Sequence, residues 1–413
     1  MRTPLLIGTL LAALTPLVSA QETIAPGFAV TDSTPPAVAF AVHGTLSDGS
    51  RVYFDGSTVD LYDPSGVFVM NLGAMPGFLF SSFVEIDPSE TFAIIGESSN
   101  GGIYKAQLDG TGMTLLNSLT FNFDAVFESA NEVLISASHF GVDNDVLRLN
   151  TDSGAFEAVA NLPGFSGPLD LTPGGDLVYG EVSGAGARIL RFDAAELTSG
   201  MLLTELDADI LTTGLDGAAA LAVDPVFGNI FVTSNIWSVS SLLLEIDGDG
   251  AIVETIASST AWLNGIEFVQ GAGAGHFHRY QPADGLSLQY SNGTDIVTVS
   301  PQAPQLSLTQ FGNFATLQVT GAVPNAGALI VFGNQNLMVP EYSVQLAFDF
   351  LFNTDLPLAN IRRLGLRIPT DTNGEASFSY FDPSPGSAGQ RWFQMLITDE
   401  NDMFVGASNS AVN

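Results

Sequence analysis

The chain has 413 residues, no cysteine, and 44 acidic against 11 basic side chains, a formal net charge of −33 at neutral pH. Without cysteine, disulfides, thiolate metal sites and a lipid-anchored lipoprotein are excluded. A surface this negative repels phosphate backbones and anionic headgroups, which excludes nucleic acid as a partner class and suits a saline medium that screens self-repulsion.

In chain order, Arg2 precedes an apolar run over 5–17, and Val18-Ser19-Ala20 supplies the small residues of a cleavage site. This reads as a secretory signal peptide ending near Ala20, too short and too early for a membrane span. No later run reaches membrane length, so the expected product is exported, periplasmic or secreted, with no membrane span and no lipid anchor. Loss of Arg2 leaves 10 basic against 44 acidic residues, a net charge of −34. Residues 21–35 read as a lead-in.

Between 36 and 302 one grammar recurs six times: a β-rich stretch, a turn, then a short strand closing on an acidic or Asn turn. The closing strands read Leu61-Tyr62-Asp63, Gln107-Leu108-Asp109, Arg148-Leu149-Asn150, Arg191-Phe192-Asp193, Glu245-Ile246-Asp247 and Leu288-Gln289-Tyr290-Ser291. Repeats of this length, with about four short strands each, predict a six-bladed β-propeller. The blades are expected at 36–76, 77–119, 120–162, 163–213, 214–258 and 259–302. Blade four carries an extra segment, 194–203, with room for a short helical turn. Blade six is expected to use 266–269, 275–281, 286–290 and 295–299. β-Branched and aromatic residues fill the strands, and Gly, Pro, Asp and Asn mark the breaks. The segment Pro301 to Pro304 interrupts the repeat. Strands of another rhythm follow, with a hairpin turn at Thr372-Asn373-Gly374, and predict a β-sandwich accessory domain over 303–413. The fold class is therefore all-β, a six-bladed β-propeller followed by a C-terminal β-sandwich.

Two groups of polar residues are placed where a propeller does chemistry. Glu85, Asp124, Asp170 and Glu267 lie on or just before innermost strands. They either converge on the central channel, to hold a cation or share protons, or alternate onto opposite faces and bond to neighbouring blades; period-two counting favours the latter. Glu97, Glu181, Asn235 and Arg279 follow second strands, and His139 begins a turn on the same face, with Trp237, Trp262 and Tyr280 on or near that rim. Aromatics beside carboxylates and amides suit a carbohydrate, peptide or small-molecule ligand, through stacking and directional hydrogen bonds. Packing between blades is the other reading of those aromatics. His276 and His278 have the spacing of a metal pair on one strand face, or of a partly exposed strand pair. No Gly-x-Ser-x-Gly, His-Glu-x-x-His or phosphate-cradling Gly loop occurs.

Leu221-Ala222-Val223-Asp224-Pro225, followed by Gly228-Asn229-Ile230-Phe231-Val232-Thr233, resembles the repeat of the NHL and SMP-30/gluconolactonase-like six-bladed propellers, over about residues 36–302. That resemblance implies one divalent cation (Ca, Mg or Mn) on the axis and a metal-dependent lactonase or related hydrolase. Asn264-Gly265-Ile266 and Asp216-Gly217 are similar to the family's Asn and Asp steps, in reversed order, with Glu85 or Asp170 as further ligands. The C-terminal segments Pro324-Asn325-Ala326-Gly327-Ala328, Ile368-Pro369-Thr370-Asp371, Trp392-Phe393-Gln394 and Ala407-Ser408-Asn409 resemble modules appended to secreted bacterial proteins. The leading expectation is an exported, non-catalytic propeller for ligand binding or surface interaction. A metal-dependent lactonase is the alternative, and a structural envelope or matrix component a further one.

Overall fold

The computed structural model describes residues 22–36, 41–77, 79–139, 143–182, 186–236, 239–270, 277 and 286–311. In the C-terminal part it describes 314–322, 327–333, 343–345, 351–353, 362–372, 374–381, 392–398, 404–407 and 411–412. Two strands come first, β1 (Glu22–Ile24) and β2 (Phe28–Thr34). Blade one follows with β3 (Val42–Thr45), β4 (Arg51–Phe54), β5 (Thr58–Tyr62) and β6 (Phe68–Ala74). Blade two is β7 (Ser81–Ile86), β8 (Phe92–Glu97), β9 (Gly102–Gln107) and β10 (Met113–Ser118). Blade three is β11 (Asn122–Ser129), β12 (Glu132–His139), β13 (Asp143–Asn150) and β14 (Phe156–Pro163).

In blade four, β15 (Leu169–Leu171), β16 (Leu177–Gly180) and β17 (Ala187–Phe192) precede the insertion. There Asp193 caps α1 (Ala194–Leu197) by accepting from the Ala195 N–H, the expected short helical turn. Then β18 (Leu203–Thr204) pairs in parallel with β14 of blade three, and β19 (Asp209–Leu215) completes blade four. Blade five is β20 (Ala218–Val223), β21 (Ile230–Ile236), β22 (Ser240–Ile246) and β23 (Ile252–Ser259), with β1 added to its outer edge.

Blade six departs from the sequence reading. Its strands are β24 (Asn264–Gln270), β25 (Leu286–Ser291) and β26 (Ile296–Pro301), and its outermost strand is β2, from the segment read as a lead-in. Of the expected strand 275–281, only Phe277 lies among the described residues; it is buried and outside any strand. It stacks on Phe28 of β2, ring centroids 5.3 Å apart, and meets Phe231 edge-on at 5.2 Å. The ring is thus closed by the chain's own beginning: Phe28 supplies the apolar anchor and β2 the hydrogen bonds for the outer edge of β26.

Innermost strands neighbour one another in the cyclic order β3, β7, β11, β15, β20, β24 and back to β3, which makes the sheets a closed β-propeller. Second strands are buried along most of their length because both faces are covered by adjoining blades; every residue of β8 and six of seven in β21 are buried. Each apolar layer sits between two blades. Val52, Phe54, Val84 and Ile95 join blades one and two, Ile94, Ile103, Val133 and Ile135 join two and three, and Phe231, Leu243, Leu288 and Tyr290 join five and six. A buried side chain of this size contributes roughly 1.5–3 kcal/mol. Stability is therefore lodged at the blade interfaces.

Beyond Pro301, β27 (Gln305–Phe311), β28 (Phe314–Thr320), β29 (Gly327–Gly333), β30 (Ser343–Gln345), β31 (Leu351–Asn353), β32 (Arg362–Pro369), β33 (Ala376–Phe381), β34 (Trp392–Thr398), β35 (Phe404–Ala407) and β36 (Ala411–Val412) build three further sheets. One is ordered β27-β28-β33, one β32-β29-β34-β35 with β36 on β34, and one is the pair β30-β31.

Candidate functional site: an acidic channel with an aromatic rim

The innermost strands enclose a channel of about 1170 Å³. Its lining, among the described residues, carries five carboxylates (Glu85, Glu90, Asp124, Asp170, Glu267) and one imidazole, His43, with no Lys or Arg. The four axial candidates therefore do share one cavity, contrary to the alternation expected from period two. Three of the four follow strand bulges, while β15, which carries Asp170, pairs without a slip. Pairing slips between Ser81 and Phe83, between Asn122 and Asp124, and between Asn264 and Glu267, which re-aims the residues that follow.

The carboxylates also bind blade to blade. Glu85 faces blade three, where the Phe127 N–H favours its charged form. Asp124 accepts from Leu169 N–H of blade four at 3.1 Å and from its neighbour Ala125 at 3.0 Å. Asp170 takes Val223 N–H of blade five at 2.7 Å and Leu171 N–H at 2.7 Å. Glu267 reaches across the ring closure to Thr45, accepting from its N–H at 3.2 Å and its hydroxyl at 2.5 Å, and lies 3.1 Å from His43 Nε2.

Their electrostatics follow from depth. All four keep some exposed area, which faces the channel, yet each is enclosed by protein. Burial, reinforced by the charges of Asp124, Asp170 and Glu267, raises Glu85 well above the carboxylate range. Burial raises Asp124 to about 7 against the opposing N–H groups of Leu169 and Ala125, and Asp170 to about 6 against those of Val223 and Leu171. Glu267 goes the other way: burial pushes it up, but His43 and Thr45 together outweigh that and hold it below its usual value. Of these four, Glu267 is held toward its ionised form, while burial shifts Glu85, Asp124 and Asp170 toward the protonated form.

At the face where innermost strands begin, aromatic side chains stand exposed. Phe121, Phe165 and Trp262 line the channel mouth, 45%, 58% and 38% exposed, and Phe80 is 70% exposed beside the lining residue Ser81. They precede blades three, four, six and two in turn. Sequence reasoning singles out Trp262 and passes over Phe80, Phe121 and Phe165. A signal for them existed, since an aromatic stands five residues before the axial acid in three blades: Phe80 and Glu85, Phe165 and Asp170, Trp262 and Glu267.

The other rim candidates are placed as follows. Glu97 is fully buried and closes its own turn, accepting from Gly102 N–H at 2.7 Å and Asn100 N–H at 2.9 Å. Glu181 is clamped by Arg188, which also holds Glu205 at 2.7 Å. Asn235 is buried and donates to the Leu263 carbonyl of blade six at 2.8 Å. The backbone of His139 ends β12, while its side chain, with Trp237, Arg279, Tyr280, His276 and His278, lies outside the described residues.

The ion-binding set that the resemblance implies is only partly brought together. Asn264 is exposed at the channel and Glu85 and Asp170 lie within it, but Asp216 does not line it. Among the described residues no three His, Asp or Glu side chains are close enough to share an ion.

No family model matches the chain, and no curated protein does. Solved structures do match. A gluconolactonase from Xanthomonas campestris is 13% identical over 68% of this chain and 90% of its own, with a TM-score of 0.47. A calcium-binding regucalcin from Agrobacterium tumefaciens is 13% identical over 68% and 96%, TM-score 0.43. A catalytically inactive virginiamycin B lyase from Staphylococcus aureus, solved with quinupristin, is 12% identical over 68% and 99%, TM-score 0.43. The likeness is one of fold. No helix among the described residues is long and apolar enough to cross a membrane.

Proposed function

We propose that the chain is an exported, non-catalytic propeller protein that holds a ligand at the face where its innermost strands begin. The observation that carries this reading is the group of exposed aromatics before four blades, Phe121, Phe165 and Trp262 lining the mouth of a deep channel that carries five carboxylates and Phe80 beside it. Large apolar side chains held in water beside a cavity are the usual mark of a recognition surface. Trp262 is the ligand contact retained from the sequence. Glu97, Glu181 and Asn235 support the face by fixing its turns and its blade junctions. The division into a leader over 1–20, a propeller and a C-terminal sandwich made from the sheets beyond residue 303 belongs to the same reading, with the propeller now beginning at β1.

The test is a glycan, peptide and metabolite array probed with the mature protein and with Trp262→Ala. Signals lost in the variant support the reading; an array indifferent to Trp262 overturns it.

A second reading, a lactonase or related hydrolase, draws on the convergence of Glu85, Asp170 and Asn264 on one channel. It requires about one divalent ion per chain by elemental mass spectrometry, lost in Asn264→Ala, and metal-dependent turnover of a lactone panel. That outcome would displace the non-catalytic reading.

A further inference from the structure

Resting on the reading of this face as a ligand site, we infer that its ligand is a linear polyamine, threaded from the aromatic rim into the acidic channel. Three features of the channel restrict the occupant. The first is sign. Its described lining holds five carboxylates and a histidine against no Lys or Arg, so a neutral or anionic chain entering it loses water without gaining a counter-charge.

The second is length. Phe80, Phe165 and Trp262 stand five residues before Glu85, Asp170 and Glu267, a reach of at most roughly 17 Å of chain. Phe121 and Asp124 are three residues apart, at most roughly 10 Å of chain. A compact ion at the bottom touches no aromatic, and a single lysine side chain laid at the rim stops short of the deepest acids. A linear chain with ammonium groups spaced by methylenes reaches both.

The third is the match of surfaces. Aromatic faces at the mouth attract ammonium and pack on methylene segments, and carboxylates at graded depths receive the ammonium groups farther in. The acids facing the ligand are Glu85, Asp124, Asp170 and Glu267 from blades two, three, four and six, with His43 of blade one beside Glu267, and Glu90 in the turn after β7. Asp124 and Asp170 retain acceptor lone pairs beyond their backbone bonds, so a bound ammonium adds to the blade clasps without breaking them.

The probe is spermidine, titrated calorimetrically into the mature protein at pH 7 in two buffers of different ionisation enthalpy. The expected result is one molecule per chain with proton release, because a cation beside the proton-bearing acids drives them toward ionisation. Trp262→Ala is expected to weaken binding about threefold, the size of an exposed cation–aromatic contact. Asp124→Asn, which keeps an oxygen for the Leu169 N–H, is expected to weaken it about tenfold. Asp249→Asn, in an exposed turn between outer strands, removes the same charge and should leave binding unchanged.

Multiple weak spermidine equivalents, equal for all variants, would mean attraction to the acidic surface alone and would overturn the inference. So would equal displacement by magnesium. A neutral maltohexaose arm separates the two levels: maltohexaose binding that depends on Trp262, with spermidine silent, would sink the polyamine and leave the ligand face standing. Silence of both probes, together with an array indifferent to Trp262, would remove both.

Discussion

Asp124 condenses the molecule's design into one side chain: it clasps the next blade and faces a channel it shares with four other acids. Its usual value near 3.8 rises to about 7 on folding. A carboxyl raised in this way binds more protons folded than unfolded, so its contribution to stability is greatest in acid and is lost as pH rises from about 4 to about 7. Asp170 and Glu85 shift in the same direction. Melting temperature is therefore expected to fall between pH 5 and pH 8. The fall should be smaller in Asp124→Asn, a comparison that cancels the repulsion common to the whole acidic surface. An equal fall in the two proteins would show that Asp124 does not hold the proton. Glu97 makes a second test at this scale. Its removal in Glu97→Ala strands the buried Gly102 N–H, at about 1–3 kcal/mol, read as a lower denaturation midpoint. As for legibility, the acids were visible in the sequence and their convergence was not. Counting every second residue assumes an unbroken pleat, and bulges at Asn122 and Asn264 break it. Glu97 looked like a rim residue because an acid after a strand is commonly exposed, and only the path of the following turn reveals that it folds inward.

At the scale of elements, blades one to five were readable because each is continuous in sequence and each closes on an Asp or Asn turn. Blade six was not. Its fourth strand is β2, which carries no local mark of its destination, and its partner β26 lies more than two hundred residues downstream. The same segment first adds β1 to the outside of blade five, where Glu22 accepts a hydrogen bond from the buried Tyr290 hydroxyl of blade six. Removal of residues 22–34 is accordingly expected to abolish cooperative melting of the ring, followed by near-ultraviolet circular dichroism. A synthetic peptide of that segment should restore it. A truncated chain that melts as sharply as the parent would show that closure does not depend on these strands. Deleting β1 alone should cost far less, since three backbone pairings are lost and Phe28 stays in place.

For the whole molecule, charge and topology act together. A net charge of −33 on 413 residues sets like charges against one another wherever the chain is compact. Raising ionic strength from about 0.1 M to about 1 M shortens the screening length from ~10 Å to ~3 Å, so melting temperature should rise with sodium chloride. A flat or falling response would count against self-repulsion as a significant burden. Topology has the more specific consequence. Thr31 in β2 meets the Thr298 carbonyl across 267 residues of chain, so the seam of the ring joins the two ends of its sequence. Until that seam forms, β26 presents an unpaired edge and β2 is a free strand complementary to it. Two such open chains at high concentration can each lend β2 to the other's sixth blade. The product would be a strand-exchanged dimer with every native contact intact and its seams running between subunits. Refolding at increasing protein concentration should then yield such a dimer in growing proportion, an outcome that sequence-continuous blades would not permit.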